Sequence, residues 1–410
     1  MPIAILALAL GAFGIGTTEF VIMGMLPNVA GDLGVDVPTA GQYVSGYALG
    51  VVVGAPLLTA LTVRLARRWT LVGLLVLFTL GNLLSALAPT HETLLAARFL
   101  TGMPHGAFFG VAMLVAASLV HPQRRGRAMG TVMLGLTLAN VIGVPVGTFI
   151  AQQFGWRWTF ATVALIGLAA MAAVLVVAPR GDRSTAAPRS LRAELASFAK
   201  PQVLLTLAVV VFGLGGLFAS YSYVAPMLTD VSGLGESAVP WVLVVVGVGM
   251  TAGSFLGGRL SDRSTLGTLA GGLGLVVVVL VALAAFLDSA PVAIALLFLL
   301  GFASLGIGPA IQMRIIEQAG GAPTMVSAGV QSAFNLANTI GAWLGGMVIA
   351  AGAGLRAPNV VGAGLAVVGL LLLGCSAVLE VRQRRAAALE PGAAGGAGSA
   401  GDEPRVAVPA

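Results

Sequence analysis

The chain is poor in the residues from which soluble enzymes build their sites. Of 410 residues it has one cysteine, three histidines and four tyrosines, and only 9% are charged. A single thiol, Cys375, excludes an internal disulfide and any cysteine metal cluster. The few histidines and acids form no cluster within the apolar stretches able to hold a metal or complete a hydrolytic triad. No glycine-rich loop ending in Gly-Lys-Ser/Thr is present, which argues against ATP as an energy source. The start of the chain has no basic segment before its apolar run, and that run is longer than a signal-peptide core, so it reads as a retained first helix.

What is abundant is hydrophobicity. With 58% apolar residues and a mean hydropathy of +1.00, no soluble fold of this length can hide so much apolar surface, and the solvent for most of the chain is lipid. A bilayer core of ~30 Å takes about 20 helical residues. Apolar runs of that size fall near 4–26, 39–61, 70–88, 93–116, 128–150, 158–178, 203–227, 239–260, 266–287, 291–313, 325–350 and 358–380. The expected fold class is therefore an all-α membrane protein with twelve transmembrane helices.

Of the 21 Lys and Arg residues, 18 lie in every second gap between these runs or at the C-terminal end. Cytoplasmic loops retain Lys and Arg, so both termini are expected in the cytoplasm and the chain in the cytoplasmic (inner) membrane. Topology accounts for the net charge of +6 without nucleic acid, which is not an expected partner. The exceptions are Arg98, Arg157 and Arg356. Trp156 and Trp158 mark an outer interface and Trp69 an inner one, because indole rings favour the headgroup level.

The longest polar interruption divides the chain into an N-terminal six-helix bundle (1–179), a cytoplasmic linker (180–201), a C-terminal bundle (202–381) and a Gly/Ala/Pro-rich tail (382–410) expected to be disordered. The halves repeat at a nearly fixed offset. Pro27 matches Pro226, Arg64 matches Arg263 and Gly102 matches Gly301, each 199 apart. Asn140, Gly143 and Gly147 match Asn338, Gly341 and Gly345, each 198 apart. Two parallel six-helix repeats form a transporter architecture with the substrate site between them, near the midplane.

Several motifs carry a family resemblance: Gly16-Thr17-Thr18-Glu19-Phe20, Gly24-Met25-Leu26-Pro27, Gly54-Ala55-Pro56-Leu57, Gly155-Trp156-Arg157, and the segment Arg98-Phe99-Leu100-Thr101-Gly102. Over about residues 3–381 the chain resembles the major facilitator superfamily, and within it the drug:proton antiporters of the bacterial chloramphenicol-resistance and arabinose-efflux type. The resemblance implies two pseudo-symmetric six-helix bundles, with helices 1, 4, 7 and 10 lining a cavity. It also implies loops between helices 2 and 3 and between 8 and 9 that bias inward and outward states. Here these hold Arg64, Arg67 and Arg68 in a degenerate first copy, where Val63 replaces the usual aspartate, and Asp262 and Arg263 in a better-kept second. Topology alone also explains those charges. On the fifth helix Asn140, Gly143, Pro145 and Gly147 resemble the antiporter motif, read as a pliable helix contact or as ordinary close packing.

Glu19 is the one acid well inside a span, and such groups usually face a cavity and carry function. A carboxyl withdrawn from water can hold either a proton or a cationic partner. Arg98 lies at a similar depth. Three roles stay open for Glu19: proton carrier, cation recognition, and structural partner of Arg98. His105 is a proton relay or a packing histidine. Phe212, Phe218, Tyr221, Tyr223, Phe298 and Phe302 are possible substrate walls, although aromatics more often pack or face lipid.

The resulting expectation is a secondary transporter exporting a small organic compound, a drug such as chloramphenicol or a sugar or metabolite, in exchange for protons and without a cofactor. Uptake or facilitated diffusion of a sugar or nucleoside is the alternative, and a membrane enzyme or receptor a more distant one. Oligomeric state is open; members of the superfamily commonly work as monomers.

Overall fold

The computed structural model describes residues 3–62, 65–178, 200–319 and 323–389. Among the described residues, twelve helices are long and apolar enough to cross a membrane. In the first half they are α1 (Ile3–Gly24), α2 (Val37–Thr62), α3 (Arg67–Leu87), α4 (His91–Ser118), α5 (Pro122–Phe154) and α6 (Trp156–Val177). In the second half they are α7 (Pro201–Tyr221), α8 (Glu236–Ser261), α9 (Thr265–Phe286), α10 (Ala290–Gln318), α11 (Gly329–Ala353) and α12 (Ala357–Gln383). The helix of α12 runs on to Leu389, so residues 382–389 are helical where a disordered tail was expected. The rest of that tail and residues 179–199 of the linker lie outside the described residues.

Several breaks within helices fall beside proline, which has no N–H to give to the helix ladder. Pro104 opens the second segment of α4 after a break at Met103. A π-helical turn, Ala139–Gly143, precedes Pro145 on α5. Past the end of α1, Pro27 sits in a short helix, Leu26–Leu33, and its repeat partner Pro226 lies just past the end of α7.

The repeat seen in the sequence is a repeat of packing. In the first half α1 packs on α5 and α6, α2 on α4, and α3 on α6; in the second, α7 packs on α11 and α12, α8 on α10, and α9 on α12. The halves meet where α2 runs along α11 and α5 along α8. Glycine permits these approaches. A methyl group added at Gly147 would lie 2.6 Å from Val21 of α1, and one at Gly345 2.6 Å from the Ala219 carbonyl of α7. The matched glycines thus seat α5 on α1 and α11 on α7 by the same device.

On the side opposite the basic loops, the two halves are in contact through several groups. Gln152 of α5 donates to the Glu236 carbonyl of α8 at 2.7 Å. Ser45 of α2 donates to the Thr339 carbonyl of α11 at 3.2 Å. The Tyr223 hydroxyl donates to the Ala342 carbonyl at 2.7 Å and lies against Gly41 of α2.

The two unburied exceptions to the charge pattern hold equivalent positions, 199 residues apart. Arg157, at the start of α6, pairs with Asp32 and donates to the Ala88 carbonyl beyond the end of α3 at 3.1 Å. Arg356, at the start of α12, pairs with Asp288 and donates to the carbonyls of Ala284 and Ala285 near the end of α9. A cation at a helix C-terminus meets carbonyls that lack intrahelical donors. The hydrogen bonds from Arg157 and then Trp156 hold the Asp32 carboxyl below the usual carboxylate range, and the bond from Arg356 does the same for Asp288.

Candidate functional site

α1 is the most enclosed of the twelve spans, with 78% of its window buried. Helices on every side explain its almost unbroken run of small and apolar residues, and they make its one carboxylate conspicuous. Glu19 is 2% exposed, Arg98 0% and His105 1%. The three come from α1 and the two segments of α4, and the structure gathers them around Tyr47 of α2.

Glu19 and Arg98 do not form the ion pair that their depths made plausible. The guanidinium donates through Nη1 to Thr18 Oγ1 at 3.2 Å and through Nε to the Tyr43 carbonyl at 3.3 Å. Its Cζ lies 4.5 Å from the Tyr47 ring centre and 5.5 Å from that of Phe160. Cation–π contact and hydrogen bonds therefore take much of the place of a carboxylate. Thr18 in turn donates to Asn82 Oδ1 at 2.7 Å.

The direct neighbour of Glu19 is His105, whose Nδ1 lies 4.0 Å from Glu19 Oε2. The same Nδ1 is 3.0 Å from the Tyr47 hydroxyl, and Nε2 is 3.2 Å from Gln331 Nε2 on α11. Glu19 Oε1 and Arg98 Nη2 are buried without a hydrogen-bond partner. A buried polar atom left unpaired costs ~1–3 kcal/mol, so free atoms on both a carboxylate and a guanidinium mark a place where a proton, water or ligand has something to gain.

Tyr47 and Gln331 escaped the sequence reading. Neither is charged, so neither stands out in a span. The available signal was the i,i+4 spacing of Tyr43 and Tyr47, which puts two of four tyrosines on one face of α2.

The proposed aromatic walls separate into two groups. Phe298 and Phe302 of α10 are half-buried and stacked, with centroids 6.4 Å apart beside Gly249 and Gly253 of α8, and Phe212 is half-buried on α7. Phe218, Tyr221 and Tyr223 are buried. Phe218 stacks on Phe20 of α1 at 6.4 Å and meets Phe334 of α11 edge-on at 5.1 Å, so it joins the halves. Tyr223 is not an open cavity wall: its hydroxyl is committed to α11 and its ring to the contact with Gly41.

Among the loop charges, Arg68 donates to the Leu175 carbonyl near the end of α6, Arg67 begins α3, and Asp262 and Arg263 are exposed. Arg64 lies outside the described residues. Arg314, one of the 18 basic residues that the alternation of gaps assigns to topology, lies within α10. It is buried, pairs with Glu380 of α12 at 3.2 Å and donates to Ser376 at 2.8 Å. It lines an open polar cleft of about 540 Å³ with Lys200, Gln202, Glu317 and Gln318.

The matched asparagines differ in their surroundings. Asn140 donates to the Leu136 carbonyl at 3.1 Å, and Gly247 of α8 lies against its backbone carbonyl. Asn338 is fully buried with neither amide atom hydrogen-bonded.

Twelve candidate spans among the described residues, packed as two repeated halves around a buried polar cluster, have the architecture of a membrane transporter. Residues 8–328 match the family model described as the Major Facilitator Superfamily, and the chain belongs to that family. It is 43% identical over 373 residues to the "Inner membrane transport protein YdhP" of Escherichia coli (strain K12), covering 91% of this chain and 95% of the relative. It is 36% identical over 343 residues to the "Chloramphenicol resistance protein" of Streptomyces lividans, covering 83% and 88%. Among solved structures, the fold is similar to a bacterial homologue of the human lysosomal transporter Spinster, in an inward-facing and occupied conformation. That match has a TM-score of 0.73 at 16% identity and covers 91% of this chain and 96% of the other. A D-xylose-proton symporter matches with a TM-score of 0.72 at 18% identity, covering 90% and 96%.

Proposed function

We propose that the protein exports a small organic compound across the cytoplasmic membrane in exchange for protons, working as a monomer with both termini in the cytoplasm. The observation that carries this reading is Glu19: a buried carboxylate with one oxygen unpartnered and the other 4.0 Å from an equally buried imidazole. Such a group is expensive to keep in a membrane unless it faces a pathway or exchanges its charge. The basic side is the cytoplasmic one by the distribution of Lys and Arg. The relative named for inner-membrane transport supports a transporter in that membrane, and the one named for chloramphenicol resistance supports efflux of a drug-like compound.

A proton arriving from outside neutralises Glu19 and removes its attraction to Arg98 and to a bound substrate. The halves then rock, with the glycine-seated contacts of α5 and α11 as the pliable elements and the loops holding Arg64, Arg67, Arg68, Asp262 and Arg263 as the gates. Loss of the proton inside resets the cycle. Phe298, Phe302 and Phe212 are the aromatics best placed to meet an amphipathic substrate.

The test is proton movement in inverted vesicles challenged with chloramphenicol, other drugs, arabinose and nucleosides. A compound that dissipates the pH gradient with the native protein and not with Glu19→Gln supports the reading. Proton-coupled export that persists in Glu19→Gln overturns the role of this carboxylate. Transport without any pH gradient would instead favour facilitated diffusion.

A further inference from the structure

We infer that Gln331 is a positioning residue that links the proton state of His105 on α4 to α11, and so to closure between the two halves. The inference rests on the reading of the Glu19 and His105 cluster as the proton site, and adds to it the element by which the other half senses the proton.

Gln331 is the C-terminal half's contribution to this cluster, and it reaches His105 across 226 positions of sequence. Both imidazole nitrogens are engaged. Nδ1 faces the Tyr47 hydroxyl at 3.0 Å and Glu19 Oε2 at 4.0 Å, both able to accept, while Nε2 faces the Gln331 amide nitrogen, which only donates. The arrangement is satisfied by one form of the ring, neutral with its hydrogen on Nδ1 and its lone pair on Nε2 accepting from Gln331. A second proton turns Nε2 into a donor facing a donor. The bridge must then break, or the amide must turn about its terminal torsion and rebuild its contacts. The ring is held while this happens: Phe109 packs against it with centroids 5.2 Å apart, and Tyr47 meets it edge-on at 6.0 Å.

The charged and titratable groups facing the imidazole are Glu19 from α1, Tyr47 from α2 and, beyond the Tyr47 ring, Arg98 from α4, the helix of His105 itself; α11 brings the neutral amide of Gln331. Position along the helices gives the bridge its mechanical meaning. His105 and Gln331 lie on the basic-loop side of Ser45 and Thr339, whose hydrogen bond belongs to the contacts of the opposite side. Releasing the bridge therefore frees the halves on the basic side while the contacts of the far side stay intact.

The experiment uses the full chain in nanodiscs, with Cys375→Ser and spin labels at Arg125→Cys on α5 and Arg259→Cys on α8, both exposed at the basic ends. The distance between labels is followed from pH 8.5 to pH 5.5. With Gln331 present, the distance distribution is expected to lengthen as pH falls. In Gln331→Ala it should be long throughout, with no pH response. In Gln331→Glu, which only accepts from a protonated ring, the response should reverse and the short distance dominate at low pH. A purely structural glutamine would not invert the sign. A pH response in Gln331→Ala equal to that of the parent, or a parent with none, overturns the inference. If Glu19→Gln abolishes proton exchange in vesicles while Gln331→Ala keeps the parent's pH response, the proton site stands and the link to α11 fails. If the Gln331 variants behave as expected while Glu19→Gln still exchanges protons, the role of Glu19 fails and the link stands on His105.

Discussion

Two glycines on α8, two residues apart, separate the energetics of folding from those of the transport cycle. A methyl group at Gly247 would sit 2.5 Å from the Asn140 carbonyl oxygen and 3.0 Å from Val141 Cα, both on α5 of the other half. One at Gly249 would sit 2.5 Å from the Phe298 carbonyl oxygen of α10, within the same half. The local overlap is equal and in both cases meets backbone, which cannot rotate away. Overpacking of this kind costs ~1–3 kcal/mol. For Gly249→Ala that cost is present in every state that keeps α8 on α10, so thermal stability falls. For Gly247→Ala it is present only while α5 and α8 are closed, and separation of the halves relieves it. At ~1.4 kcal/mol per factor of ten, the closed population should drop roughly five- to hundred-fold relative to the open one. Spin labels at Phe154→Cys and Ser237→Cys, in a Cys375→Ser background, read this directly. Gly247→Ala should lengthen their distance with little change in melting temperature, and Gly249→Ala should do the reverse. Equal melting-temperature losses with an unchanged distance in both variants would refute the assignment of Gly247 to a contact that opens.

Removing the Arg157 guanidinium should cost about 1 kcal/mol or less, because the pair is over a third exposed and solvent screens it. Since the folded Asp32 carboxyl is held low, its contribution is complete above the unfolded carboxylate range and is lost as pH falls through the lower folded value. Melting curves of Arg157→Ala and the native protein should therefore converge in acid; a difference that grows on acidification would contradict the pairing. Asn338→Leu replaces a buried amide without partners by an apolar group of similar size, so the melting temperature should hold or rise. A fall of several degrees would mean that ordered water satisfies that amide.

The fold was legible because lipid imposes two rules that local sequence obeys: about 20 apolar residues per span, and basic residues kept to one side. The repeat was legible because glycine tolerates close approach at only certain positions, so Gly143 and Gly147 and their partners Gly341 and Gly345 had to recur with the helices they seat. Within the site, Glu19 and Arg98 announced themselves as charges in apolar surroundings. Their relation did not. Which face of α4 carries Arg98, and that Thr18 and the Tyr43 carbonyl reach it first, is decided by the rotation of packed helices. Tyr47 and Gln331 are ordinary polar residues until tertiary structure sets them on either side of one imidazole. The aromatics at the end of α7 and just beyond it illustrate the converse, since Phe218 and Tyr223 have the composition of a binding wall and serve to join the halves.

The Arg157 and Arg356 braces bear on how the chain is made. Every group in the first brace, Asp32, Ala88, Trp156 and Arg157, belongs to the first six helices, and every group in the second to the last six. The N-terminal bundle can therefore lock its far-side corner as soon as α6 is inserted, before α7 leaves the ribosome. The second bundle then assembles against a finished surface. Membrane insertion of this protein can thus proceed half by half, and because the exposed Arg157 pair adds only about 1 kcal/mol or less, a lesion there should be felt most during synthesis, when a half-made protein has no partner to lean on.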